Sequence, residues 1–170
     1  YCSLQMGFHV LYVSPSQTQT KEFMQTRIKA PIRESHILRM WEDKSKIDNM
    51  TIKEFINGSK INFRYAFLTA DRIRGLSNVD CLIIDEIQDI IFDNIPVIEQ
   101  TTFVANKKYK FFLYTGTPKT TDLGIEVLWE RSTKNEWAIP CWRHEYHGPN
   151  GTVKGFWNIV VDEKNIGLKG

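Results

Sequence analysis

The chain alternates between short apolar runs and longer stretches of mixed polarity. Phe8 to Val13 is an apolar run that stops at Ser14-Pro15, the pattern of a buried strand. Tyr1 to Met6 before it reads as the end of a helix, with Gly7 as its stop. Ser14, Pro15 and Gln17 then supply a cap, a first-turn proline and a capping-box partner. The predicted helix puts Phe23, Met24 and Ile28 on one side and leaves Lys21, Arg27 and Lys29 largely off it. Ala30 to Asn49 fixes no element. Thr51 to Ile56 and Lys60 to Phe67 flank Asn57-Gly58, a hairpin signal. Arg72 to Val79 reads as a polar loop.

Cys81 to Ile84 is apolar throughout and ends at Asp85-Glu86, as a central parallel strand does. A helix carrying Ile87, Ile90 and Ile91 is predicted next. Another opens near Pro96, with Asp93 or Asn94 as its cap. Lys110 to Tyr114 predicts a second buried strand, running into Thr115-Gly116-Thr117-Pro118. Thr121 or Asp122 then caps a helix that ends near Ser132. This order of strands and helices predicts an α/β fold, a mostly parallel sheet flanked by helices. After Trp137 the texture changes, as Pro140, Gly148, Pro149, Gly151 and Gly155 punctuate β-prone pieces. Residues 1–135 are therefore read as one domain, and 136–170 as a β-rich appendage or linker.

Composition narrows this little. The 170 residues are 42% apolar and 25% charged, ordinary for a globular domain. A net charge of +2 neither demands nor excludes nucleic acid, because a basic groove can sit on a nearly neutral protein. No apolar run approaches the roughly 20 residues of a membrane span, and no membrane partner is expected. Three cysteines do not suggest a disulfide framework, so a reducing, intracellular setting is expected. There is no signal-peptide pattern. With no initiator methionine, the chain is expected to be a fragment.

Four stretches can carry chemistry. Asp85 falls at the C-terminal tip of a central strand, where open α/β sheets bind ligands. A carboxylate there can hold Mg²⁺ through water, and Glu86 can polarise the water that attacks a γ-phosphate. The plainer alternative is a strand that runs into an acidic helix start. Thr115, Gly116 and Thr117 form a hydroxyl-rich turn about 30 residues on, at the spacing of a helicase-like γ-phosphate sensor; alone, they also make an ordinary turn and cap. Ser14 and Ser16 offer hydroxyls and helix-start amides to a nucleic-acid backbone, with Lys21, Arg27 and Lys29 adding charge; a capped helix with a solvated basic face explains them equally. Arg74-Gly75 can approach a phosphate closely, although a loop arginine at the surface is the commoner meaning.

Taken in order, LYVSPSQTQTKEFMQTRI, DRIRGLSNVDCLIIDEIQDI and FLYTGTPKTTDLGIEVLWERSTKNEWAIPC resemble the ATPase domain of phage large terminases, from about Phe8 to Cys141. The resemblance implies a RecA-like, helicase-like P-loop NTPase sheet that is incomplete at its N-terminus. It implies that Asp85 is the Walker B aspartate and Glu86 the catalytic glutamate. Thr115, Gly116 and Thr117 become the coupling motif, and Arg74-Gly75 the pair before the acidic strand. The whole protein would use ATP and Mg²⁺ to drive double-stranded DNA into a capsid, in the host cell cytoplasm. Portal and small terminase subunit would be partners, and a homo-oligomeric ring the working form.

The family's G-x-x-x-x-G-K-[ST] loop does not occur in the sequence. It is expected just before Tyr1, and the nuclease domain beyond Gly170. The isolated chain is accordingly expected to bind ATP poorly and hydrolyse it barely. Cys141, His144 and His147 have ligand-like spacing, and some terminases carry a zinc insert here. A structural zinc needs four ligands, and no second cysteine pair follows, so a lone cysteine beside surface histidines is the plainer reading. Two alternatives share the motifs: a helicase-like ATPase that remodels nucleic acid, and a catalytically dead DNA-binding module.

Overall fold

The computed structural model describes residues 1–43, 46–105, 109–117, 119 and 124–134, and the backbone alone of 138–148 and 151–158. It forms two compact units, Tyr1–Glu126 and Val127–Gly170. The first unit is α/β. Strand β1 (Val10–Ser14) is buried along its whole length. It pairs in parallel on one side with β3 (Lys60–Tyr65) and on the other with β4 (Cys81–Ile84). β5 (Phe111–Tyr114) adds in parallel to β4, and β2 (Ile52–Glu54) adds antiparallel to β3. The sheet order is β2-β3-β1-β4-β5.

Gly7, at φ 65°, turns the chain into β1, and its N–H closes on Ser3 C=O at 3.1 Å. The hairpin at Asn57-Gly58 forms as expected, with Gly58 at φ 78°. Asn57 Oδ1 accepts from the Ser59 amide and hydroxyl, while its Nδ2 donates to Ser3 C=O. That last bond ties the hairpin to the first turn of the chain.

The helix after β1 differs in detail from its prediction. Its cap is Ser16 rather than Ser14, and Gln19 rather than Gln17 is the capping partner. Ser16 Oγ accepts from Gln19 N–H at 3.2 Å and donates to its side chain at 2.9 Å. Helix α1 (Gln17–Phe23) continues through a π-helical stretch, Met24–Lys29, into α2 (Ala30–Glu34). Pro31 explains the widening. It cannot donate to Arg27 C=O, and its ring crowds that carbonyl. The ladder before it opens, so that Ala30 N–H reaches Gln25 C=O. A short helix α3 (His36–Arg39) follows, capped by Ser35.

Alternation along the strands separates two faces. Tyr12, Phe63 and Met24 form a buried cluster on one face, with Phe23, Ile28, Ile61 and Ile83 packed against it. On the other side α4 (Asn94–Glu99) contributes buried Ile95 and Ile98. Tyr114 donates its hydroxyl to Glu99 of that helix. Burial and this bond raise the Tyr114 pKa.

Two expectations are corrected here. The stretch after Glu86 is a single 3₁₀ turn, Ile87–Asp89, and Ile91 is exposed. β5 forms where expected but is not buried: Phe111, Phe112 and Leu113 are 45%, 44% and 52% exposed. It lies at the edge of the sheet, and an apolar run does not distinguish an edge from a centre.

The helix expected to start at Thr121 or Asp122 appears as α5 (Ile125–Glu130); both proposed caps lie outside the described residues. In the second unit β6 (Ala138–Gly148) pairs antiparallel with β7 (Gly151–Asn158). No helix among the described residues is long and apolar enough to cross a membrane.

Lys53 is buried, and its ammonium meets Glu42 and, at 2.8 Å, Asp48. Asp48 also pairs with Lys29 at 3.1 Å. Burial opposes the Lys53 charge, but its two carboxylate partners outweigh that and raise its pKa above 10.5. Burial likewise opposes the Asp48 charge, yet Lys53 and Lys29 hold its pKa below 3.8. Lys53→Met is expected to cost about 2 kcal/mol, less than a fully buried pair because both carboxylates are partly exposed. The Asp48 contribution is present above pH 3.8 and is lost as pH falls through its depressed value. The Lys53 contribution is present below pH 10.5 and is lost as pH rises through its raised value. Urea denaturation across pH should show the gap between wild type and variant closing at both ends.

Candidate functional site

The chain leaves β1 toward β3 and leaves β4 toward β5. The outgoing connections therefore diverge between β1 and β4, and open α/β sheets bind ligands outside the strand ends at such a point. Asp85 lies there. Its amide continues the ladder by donating to Val13 C=O at 2.8 Å. In the sheet register Tyr12 lies opposite Ile83, and Ile83 opposite Leu113. Two residues on from Ile83 and Leu113, Asp85 and Thr115 return to the face of Tyr12.

Three donors converge on the Asp85 carboxylate. Tyr12 OH donates to Oδ2 at 2.7 Å, Thr115 Oγ1 to Oδ1 at 2.5 Å, and the Glu86 amide to Oδ1 at 3.1 Å. Tyr12 is itself held by stacking on Phe23, with centroids 4.1 Å apart and planes 12° from parallel. Burial first, then the bond to Asp85, raises the Tyr12 pKa, so the phenol stays a donor. A carboxylate accepts at about four positions, so Asp85 keeps capacity on Oδ2. That fits a cation held through its own water, as one carboxylate typically holds Mg²⁺. No cluster of three His, Cys, Asp or Glu side chains suited to a metal occurs among the described residues.

Glu86 adopts the left-handed conformation at φ 52°, ψ 47°, which costs a non-glycine residue roughly 1–2 kcal/mol. Its carboxylate accepts from Gln88 Nε2. The same amide reaches the hydroxyl-rich turn, because Gln88 Oε1 accepts from Thr117 N–H at 3.1 Å. Gly116 lets it do so: a Cβ there would stand 2.1 Å from Gln88 Oε1. Asp85, Glu86, Thr115, Gly116 and Thr117 are thus brought together, with Gln88 as the link. Tyr12, Asp85 and Glu86 line a cleft of about 240 Å³ with Gln19, Glu22 and Arg27 of the neighbouring helix.

The residues assigned to nucleic acid divide. Lys21 is exposed on α1 and lines a second cavity near the ends of β1 and β3. Ser14 Oγ is turned inward and bonds Thr20 Oγ1 at 2.6 Å. Ser16 Oγ is occupied by capping. Arg74 is exposed beside Asp71, at 3.5 Å. Cys141, His144 and His147 fall on β6, whose side chains lie outside those described, so the zinc reading lies there too.

Sequence reasoning did not single out Tyr12, Gln88 or Arg64. Tyr12 had a signal, since alternation puts it on the face of Ser14, but its link to Asp85 needs the register between strands. Gln88 had none, because the predicted helix would have turned it elsewhere.

No protein-family model matches the chain, and no curated protein matches it either.

The crowding of Gly116 by Gln88 gives a direct test. Gly116→Ala is expected to destabilise the protein by about 1 kcal/mol, because the Gln88 amide, the flexible end of a half-buried side chain, must swing aside and give up its bonds to Thr117 N–H and Glu86. In a Gln88→Ala background the same change should cost less than half as much. Equal costs in both backgrounds, measured by a denaturation double-mutant cycle, would show that Gln88 does not lie against Gly116.

Proposed function

We propose that the chain is part of an ATP-driven DNA-packaging motor of the large-terminase kind, built on a RecA-like P-loop NTPase sheet. One observation carries the reading. A strand-end carboxylate at the divergence point is held by a hydroxyl from each neighbouring strand, and the glutamate after it is tied to a hydroxyl-rich turn. Phosphoryl transfer to water needs a carboxylate that can hold the metal and a residue that positions the water side by side, and a turn bonded to the second could carry its state onward.

In this role Asp85 would be the residue to hold Mg²⁺, with Tyr12 and Thr115 fixing the carboxylate's orientation. The metal supplies charge neutralisation on the transferred phosphate when bound. Glu86 orients and polarises the attacking water. Among the described residues no protein donor meets its Oε1, which leaves that oxygen free to take a proton. Thr117 senses the state of Glu86 through Gln88, and the turn carries that state onward. A strand carrying a phosphate loop would find a place to pair at the open edge of β5. Double-stranded DNA is the substrate. Portal and small terminase subunit are partners, a homo-oligomeric ring is the working form, and the host cytoplasm is the setting.

Glu86→Gln in the intact protein is expected to reduce ATP turnover at least about 100-fold, the usual minimum for a lost general base, while the Kd for ATP stays unchanged. Wild-type turnover in that variant would remove Glu86 from the chemistry. DNA binding with no turnover in the wild-type protein would favour a catalytically dead DNA-binding module.

A further inference from the structure

A second cavity, of about 330 Å³, opens near the C-terminal ends of β1 and β3. Three cations from three elements line it: Lys21 of α1, Arg64 of β3 and Arg72 of the loop after β3. No carboxylate among the described residues lines it. Among the described residues none of the three cations has a carboxylate partner, and they are the cations that line this one cavity. Gathering uncompensated like charges in one concavity costs repulsion that an anion relieves.

The cations are also oriented. Arg64 Nη1 donates to Thr51 C=O at 3.0 Å and to Phe63 C=O at 2.9 Å. A guanidinium has five donors, and no acceptor among the described residues meets the rest. Burial lowers the Arg64 pKa, so a bound anion would offset the cost of that charge. Arg72 lies over the Tyr65 ring, its Cζ 5.0 Å from the centroid, which fixes the plane it presents. Lys21 and Arg72 are exposed, and Arg64 is half-buried, the deepest of the three.

We propose that the Lys21–Arg64–Arg72 cavity seats successive backbone phosphates of a nucleic-acid strand. A single phosphodiester carries one negative charge, so three unpaired cations match neighbouring phosphates better than one. Helix α1 makes the seat consequential. Thr20 and Lys21 face this cavity, while Gln19 and Glu22, on the same turns, line the cleft of Asp85 and Glu86. One helix is a wall of both. The identity of the strand as DNA rests on the motor reading; the phosphate seat does not.

The test is binding of a fluorescein-labelled DNA duplex, and of its single strand, to the intact chain across a salt series. Wild type should show log K falling linearly with log salt, and Lys21→Ala/Arg72→Ala should make that slope shallower by about 1–2. Both side chains are exposed, so the fold should survive. Arg64→Met, which keeps the aliphatic stem, should weaken binding at low salt about tenfold, as loss of a charged hydrogen-bonding partner does. Arg39→Ala, an exposed cation on α3, is the control and should change nothing. An unchanged slope in the double variant overturns the proposal, as does an equal effect of Arg39→Ala. Binding of inorganic phosphate or anionic vesicles without DNA overturns it too. A changed slope with no ATP turnover keeps the seat and removes the motor. An unchanged slope with turnover lost in Glu86→Gln does the reverse.

Discussion

The Asp85 carboxylate is the point on which the arrangement of the sheet's far half depends. Its donors come from β1, from the end of β5 and from its own following peptide. They can converge only if three parallel strands keep one register. A one-residue slip of any strand would turn its side chain to the opposite face, leaving a half-buried carboxylate short of a partner. Losing a donor to such a group costs more than the bond contributes. The same contact that assembles the candidate site therefore also penalises wrong strand pairing. Stability and chemistry share one constraint here, and Tyr12 is where they meet: its ring packs in the core, and its hydroxyl reaches the site.

The helix on that face carries a second constraint. Pro31 forces the turns before it to π spacing, which rotates everything upstream relative to α2. A uniform α-helix from Gln17 to Glu34 would not hold Phe23 over Tyr12 and Met24 in the core while also setting Ile32 inward. The π-helical segment keeps Phe23 flat on the Tyr12 ring. Upstream of it, the ordinary α-helical spacing of α1 turns Gln17, Thr20 and Lys21 to the basic cavity and Gln19 and Glu22 to the acidic cleft. The left-handed Glu86 is the matching local cost on the strand side. Both irregularities flank the same cleft, and a left-handed residue such as Glu86 persists where surrounding structure over-determines it.

Much of the frame was legible in the residues. Period-two and all-apolar runs located β1, β3, β4 and β5, and Asn57-Gly58 located the hairpin. Asp85, Glu86 and Thr115 to Thr117 were legible as separate motifs, because strand ends and turns have local composition. What was not legible depends on pairs distant in sequence. The Tyr12–Asp85 bond spans 73 residues, and Gln88 meets Thr117 across 29. Arg64 sits inside a strand where a cation reads as an outward-facing position. Its role appears only when Arg72 and Lys21 arrive from other elements. The cap at Ser16 rather than Ser14 was a close competition, since both serines precede the same polar run. Burial of Ser14 Oγ against Thr20 decided it.

β5 shows where local pattern reasoning stops. Its residues are as apolar as those of β4, and both runs read as central strands. β4 lies between two neighbours and is almost wholly buried, whereas β5 has one neighbour and exposes aromatic and aliphatic side chains. Composition records what environment a strand is suited to, and the fold records what it has. An exposed apolar edge is a liability that proteins ordinarily blunt with charge, proline or cover, and Phe111 to Tyr114 contains none of the first two. The residues of β5 are therefore suited to a covered position. On the motor reading, a further strand paired on that edge would be the cover, and it would lie next to the strand that leads into Thr115.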